Sequence, residues 1–209
     1  MNDKNPIYYD DYKPGKWDEI LEDFEEEFGK SVYSCHEIHS EYVHTDIAVF
    51  QPDDDNRTIV TLGMGARETA SPLPDFRRVE LMLMGTPRDN DPDEETIIAC
   101  AELQNLSKYP FRNDTWFGPG HTINVSKKFK DAFGYSFLFF VQYPRGLQVD
   151  DVGNVSFLLG IPIYDDEREW IATHKNGSQH FLDQYMKEVF ETEAGLLFDV
   201  ERPHIMPKG

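Results

Sequence analysis

Tyr42-Val43-His44-Thr45-Asp46-Ile47-Ala48-Val49-Phe50 repeats with a period of two. Val43, Thr45, Ile47 and Val49 fall on one side, and Tyr42, His44, Asp46, Ala48 and Phe50 on the other. Successive side chains of an extended chain point to opposite faces, so this stretch predicts a β-strand. The acidic, Pro-containing run Gln51-Pro52-Asp53-Asp54-Asp55-Asn56 then supplies a turn. Thr58–Met64 predicts a second strand closing on Gly63 and Gly65. Arg78–Met84 predicts a third, with Val79, Leu81 and Leu83 on one face. Strands at such short separations imply an antiparallel meander.

On the N-terminal side, Trp17, Ile20, Leu21, Phe24 and Phe28 recur at helical spacing, opposite Glu22, Asp23, Glu25, Glu26 and Glu27. Lys16–Phe28 therefore predicts an amphipathic helix docked on a sheet and stopped by Gly29. On the C-terminal side, Asp91-Pro92-Asp93-Glu94 predicts a helix start with Asp91 as cap, and the helix is expected to end near Ser107. Tyr135–Gln142 and Val155–Ile163 predict buried strands because their apolar runs do not alternate. Arg145–Asn154 reads as a loop or hairpin connection between them. Asp165–Thr173 and Ser178–Glu191 predict helices broken at Asn176-Gly177, and Leu196–Val200 a last short strand. The fold class is α+β, a mixed, largely antiparallel sheet with flanking helices. Residues 1–34 form an N-terminal segment carrying the first helix, and 35–209 the main domain; there is no repeat or linker.

The 209 residues include 20 basic and 39 acidic ones, a net charge of −19. Such a surface repels phosphate, which argues against nucleic acid and anionic membranes as partners and favours a basic protein partner. Solubility alone would also account for it. The charge is uneven: residues 1–60 carry −11, 61–134 only −2 and 135–209 −6. The longest apolar run, Phe137–Val141, is far short of the roughly 20 residues that cross a bilayer. Met1–Pro6 has no apolar core of a signal peptide. Cys35 and Cys100 cannot form a disulfide framework, and both are expected reduced and buried, as in a cytoplasmic protein.

The nearly neutral middle third holds the most unusual stretch, Tyr109-Pro110-Phe111-Arg112-Asn113-Asp114-Thr115-Trp116-Phe117-Gly118-Pro119-Gly120-His121-Thr122. Its glycines permit backbone turns that other residues forbid, so it is expected to be a rigid loop presenting Trp116 and His121 beside the sheet. Arg and Trp are common interface anchors, which makes Arg112 and Trp116 recognition candidates. The alternative is that Trp116 plugs the end of the core. His44 and Asp46 share a strand face, and with His36, His39 or His121 they suggest a metal site, but no third ligand is fixed by spacing. Asp46 bonding a nearby His, Arg or backbone donor is the simpler account. The same residues allow a small hydrolase with His121 or His44 as base and Asp46 or Glu80 orienting it. Against it, there is no nucleophile motif and no phosphate loop, and Gly63-Met64-Gly65 lacks the rest of a dinucleotide fingerprint. Arg78 and Glu80 read as a pair fixing loop position. No cofactor, catalytic residue or metal is expected.

The segment Arg112-Asn113-x-Thr115-Trp116-x-Gly118-x-Gly120-His121-Thr122 resembles the Suppressor of fused (SUFU) domain family. Glu41-Tyr42-Val43-His44-x-Asp46-Ile47, Val60-Thr61-x-Gly63-Met64, Arg78-x-Glu80-Leu81, Phe157-Leu158-x-x-x-Pro162-Ile163 and Arg202-Pro203 support it, so the likeness spans about residues 35 to 205. The resemblance implies a protein-binding module rather than an enzyme. The animal member restrains a transcription factor in Hedgehog signalling by clamping an extended peptide, using a second lobe that this chain is too short to contain. A single-domain form looks like the bacterial branch, proposed as immunity proteins that neutralise a cognate toxin. The candidate partner surface comprises Arg112, Asn113, Thr115, Trp116, Gly118, Gly120 and His121, with His44 and Asp46 as neighbours.

Overall fold

The computed structural model describes residues 17–38, 40, 42–87, 93–188 and 196–205. Its elements in chain order are α1 (Asp18–Phe28), β1 (Tyr33–Cys35), β2 (Asp46–Phe50), β3 (Arg57–Leu62), β4 (Val79–Gly85), α2 (Glu94–Asn113), β5 (Thr122–Asn124), α3 (Lys127–Phe133), β6 (Phe137–Val149), β7 (Gly153–Ile163), α4 (Asp165–Thr173) and α5 (Gly177–Glu188). The strands form one mixed sheet in the order β1-β2-β3-β4-β7-β6-β5. Every neighbouring pair is antiparallel except β4 with β7, which run parallel. This is the mixed α+β architecture that the residue pattern implies.

The period of two separates two cores. Ile47, Val49, Ile59, Leu81 and Leu83 face α2, packing on Ile98, Ala99, Leu103 and Leu106. Ala48, Phe50, Val60, Leu62 and Met82 face the other way, onto Trp17, Ile20 and Phe24 of the α1 side. The edge of the Phe24 ring meets Phe157 at 4.9 Å. Covered on both faces, β2 and β3 have no exposed residue at all. A third cluster seats α4 and α5 on β6 and β7 through Phe139, Ile161, Trp170, Phe181 and Tyr185.

Several boundaries differ from expectation for identifiable reasons. β2 begins at Asp46 rather than Tyr42, because side chains take the preceding backbone groups. Glu37 Oε2 accepts from Thr45 N at 2.8 Å, and the Val43 carbonyl accepts from Lys108 and Ser40. Asp91 and Pro92 lie outside the described residues, and the observed cap of α2 is Asp93, which accepts from Thr96 N at 2.6 Å. The helix runs past Ser107 and through Pro110 to Asn113. The proposed loop therefore starts as the last turn of α2, and only residues from Asp114 onward are irregular. Arg145–Val149 belongs to β6, not to a loop, because the β6–β7 hairpin continues to Val149 opposite Gly153. A register shift between Gln142 and Gly146 accommodates Pro144, which has no N–H to offer a ladder. Leu196–Val200 makes only one parallel bridge, Leu197 to Met84, instead of a strand. Cys100 is buried, whereas Cys35 is only partly so.

The C-terminal segment is locked by a buried ion pair. Arg202 Nη1 and Nη2 donate to Glu167 Oε1 and Oε2 at 2.7 and 2.8 Å, and both side chains are fully buried. The same carboxylate accepts from Tyr164 N and Ile205 N. Tyr135, Tyr164 and Tyr185 surround the guanidinium, with ring centroids 5.8, 5.2 and 5.0 Å away.

Candidate functional site: a braced loop beside a cleft

The last turn of α2 is closed by its own side chains. Asn113 Nδ2 donates to the Tyr109 carbonyl at 2.9 Å, and Asp114 adopts a left-handed conformation (φ 49°) that turns the chain out of the helix. Thr115 N then donates to the Pro110 carbonyl at 3.0 Å, while the Thr115 carbonyl accepts from Ala70 N at 3.2 Å. The loop is thus tied both to the helix it leaves and to the segment before β4.

Adjacent aromatic residues take opposite roles. Phe117 is 3% exposed, and its ring lies 4.9 Å from Phe140 and 5.8 Å from Tyr109. The core plug is therefore Phe117. Trp116 is half-buried, with its ring 4.4 Å from His121 in an edge contact. Gly118 lies directly beneath it: a Cβ there would sit 2.4 Å from Trp116 Cζ3. Burial holds the His121 imidazole below its usual range, against the opposing pull of a hydrogen bond to the Trp116 backbone.

The far end of the loop is fastened to the sheet and to α5. Gly120 N donates to the Phe140 carbonyl at 2.8 Å, and Phe140 N donates to the His121 carbonyl at 2.9 Å. Gly120 turns at φ +83°, where its carbonyl accepts from Ser178 Oγ at 3.1 Å. Pro119 and Gly120 form one wall of a cleft of about 650 Å³, completed by Val141 and Gln142 of β6 and by His180 and Asp183 of α5. The contribution of α5 was not legible in the sequence, where Asn176-Gly177 marks only a helix break.

The other expected residues assemble separately. Asp46 accepts from Glu37 N at 2.9 Å, and its two oxygens lie 2.9 Å from His44 Nε2 and 3.0 Å from His36 Nδ1. Beside this group Lys108 Nζ donates to Glu37 Oε2 at 2.7 Å. Together these bonds tie His36, Glu37, His44 and Asp46 to one another and, through Lys108, to α2. No hydrogen bond among the described residues joins His121 to His44 or Asp46. Nor is any group of three His, Cys, Asp or Glu residues among them placed to hold a metal ion. His39 lies outside the described residues. Arg78 and Glu80 do not pair with each other, yet both hold the same turn. Glu80 accepts from Gly63 N and Gly65 N at 2.9 Å and from Met64 N at 3.2 Å, while Arg78 Nη1 donates to the Gly65 and Ala66 carbonyls.

The family model for the Suppressor of fused protein (SUFU) matches residues 41–203, most of the chain. The chain belongs to the SUFU family. Its fold agrees with that of solved SUFU structures. A structure of the Sufu–Fu complex matches at a TM-score of 0.67 and 12% identity, over 89% of this chain and 90% of that one. The structure of Drosophila Suppressor of Fused matches at a TM-score of 0.55 and 15% identity, covering 73% of this SUFU-family chain and 40% of the fly protein's chain. No curated protein matches the sequence. Among the described residues no helix is long and apolar enough to cross a membrane.

Proposed function

We propose that this SUFU-family chain is a non-enzymatic protein-binding module that acts by occupying a partner's surface, and that it is a cytoplasmic bacterial immunity protein neutralising a cognate toxin. The observation that carries the binding reading is the braced loop. Trp116 and His121 are held against each other on a scaffold anchored at both ends, beside a cleft, with no hydroxyl or carboxylate hydrogen-bonded to the His121 ring among the described residues. Such a site suits a fixed aromatic anchor and lacks the partnered nucleophile and base that group transfer needs. On this reading Arg112, Asn113, Thr115, Gly118 and Gly120, with Trp116 and His121, make up the partner-binding segment of the domain at residues 35–209. The similar Sufu–Fu structure is that of a complex, which is consistent with recognition of another protein.

The toxin reading rests on charge. At −19, the chain would accelerate encounter with a basic enzyme, and the acidic face of α1 in the N-terminal segment 1–34 would contribute to that field. Bound at the loop, the protein would block the toxin's active surface sterically. Affinity capture from a host strain, joined to inspection of the neighbouring genes, tests this. One basic toxin-like protein, captured by the intact chain and lost with Trp116→Ala, is expected. Capture of nothing, or turnover of a small substrate abolished by His121→Ala in a folded protein, would overturn it.

A further inference from the structure

In a chain with nearly two acidic residues for each basic one, most buried or structural cations find carboxylates. Arg57, Lys108, Arg145 and Arg202 all do. Arg67 and Arg112 do not, since no carboxylate among the described residues pairs with either. Instead the two exposed guanidiniums are mounted on aromatic rings in one cluster. Arg67 lies over Phe111 at 5.5 Å and donates from Nη1 to the Tyr42 carbonyl at 3.2 Å. Arg112 lies over the Tyr42 ring at 5.6 Å. Three separate parts of the chain therefore converge: the residue after the Met64–Ala66 turn, the segment before β2 and the last turn of α2.

This mount is rigid. The turn before Arg67 is gripped from both sides, its N–H groups by Glu80 and its carbonyls by Arg78. Stacking a guanidinium on a ring engages its face and leaves its in-plane N–H donors toward solvent, and those donors match a carboxylate in two-pronged geometry. The cluster also lies on the α2 side of the sheet, away from the acidic helix α1. At physiological salt, charge further off than about 8 Å is largely screened, so the field at the two guanidiniums is set by near neighbours, among them Glu68, which Arg78 Nη2 engages at 3.4 Å, and the exposed Asp114.

We infer that Arg67 and Arg112, set on Phe111 and Tyr42, form a docking point for a carboxylate-rich segment of a protein partner. The inference does not require that partner to be a toxin. Two arginines are too few for nucleic acid, where affinity comes from many phosphate contacts against an otherwise repulsive surface. An acidic side chain placed here would orient a partner drawn in by attraction elsewhere, since complementary charges fix register.

The probe is a capped hexaglutamate peptide titrated into the isotopically labelled full chain, read at the arginine Nε–Hε resonances at low salt. The Arg67 and Arg112 signals should shift together and saturably. Arg168, which lies over Phe137 at 5.5 Å with no carboxylate pair among the described residues, should not respond. Affinity should fall about tenfold in R67Q/R112Q, and hexalysine should give no saturable shift at these two arginines. Uniform shifts at all exposed arginines, or unchanged affinity in the double variant, would overturn the inference. So would tighter binding of an oligothymidylate of equal charge. If R67Q/R112Q does not fold, R112Q alone decides the matter, because Arg112 makes no side-chain hydrogen bond among the described residues.

Discussion

Trp116 and Phe117 are neighbours in sequence, yet their truncation should have opposite consequences. Phe117 is buried against Phe140 and Tyr109, and replacing a buried Phe by Ala costs about 3–5 kcal/mol through lost transfer energy and the cavity left behind. At about 2.1 cal/mol/K per residue, unfolding of 209 residues carries an entropy of about 0.44 kcal/mol/K, so Phe117→Ala should lower Tm by about 7–11 °C. Trp116 is only half-buried. Losing roughly 60 Å² of apolar contact with Gly118 and His121 removes about 1.5 kcal/mol, or about 3 °C. Binding should reverse the order. Below its melting point Phe117→Ala should still capture the partner, whereas Trp116→Ala should lose about 2 kcal/mol, roughly thirtyfold in affinity. Gly118→Ala is the more telling variant: its methyl would land 2.4 Å from Trp116 Cζ3, displacing the indole without deleting it, so it should weaken capture as Trp116→Ala does. Thermal melts by circular dichroism and binding isotherms on the three variants decide the matter. If Trp116→Ala lowers Tm as far as Phe117→Ala, Trp116 belongs to the core and the reasoning fails.

Arg202→Met should cost about 3–5 kcal/mol in urea unfolding, because it strands the buried Glu167 carboxylate, and pairing it with Glu167→Leu should recover much of that loss. Equal costs for the single and double variants would refute that account. Burial pushes Glu80 from 4.5 up to about 7 despite the donors around it, so the folded protein keeps this proton where the unfolded chain has released it. The resulting stability is complete below 4.5 and is lost as pH rises through about 7, up to about 3 kcal/mol. Unfolding from pH 4.5 to 8 should show that fall in the native protein relative to Glu80→Gln, and parallel curves for the two would contradict it.

The expected loop shows where local reading stops. Tyr109–Asn113 looked irregular because Pro110 normally ends a helix, but the turn survives through the Asn113 side chain and the Thr115 N–H, which bond back to Tyr109 and Pro110. Arg145–Val149 looked like a loop because Arg145-Gly146 and the following Asp150-Asp151 interrupt the apolar run, whereas its alternation of inward Arg145, Leu147 and Val149 with exposed Gly146 and Gln148 follows from pairing with β7. β1, β5 and α3, at three, three and seven residues, are too short for a period to declare itself. Of the candidate site, His44 and Asp46 were legible as a pair because two residues apart on extended chain share a face. That His121 stands apart from them, its backbone paired with Phe140 of β6, was not.

Periodicity by itself pointed to strands over Tyr42–Phe50, Thr58–Met64 and Arg78–Met84, which the structure bounds at Asp46–Phe50, Arg57–Leu62 and Val79–Gly85, and to the antiparallel meander and the amphipathic α1, while composition fixed the acidic character of the molecule. Those features depend on contacts between residues a few positions apart, or on composition alone. The parallel seam between β4 and β7, the burial of Phe117 next to a half-buried Trp116 and the mounting of Arg67 and Arg112 on one aromatic cluster were decided by tertiary structure. Each depends on how distant segments meet, as when Val79 is set beside Ser156, and short-range patterns leave such pairings open.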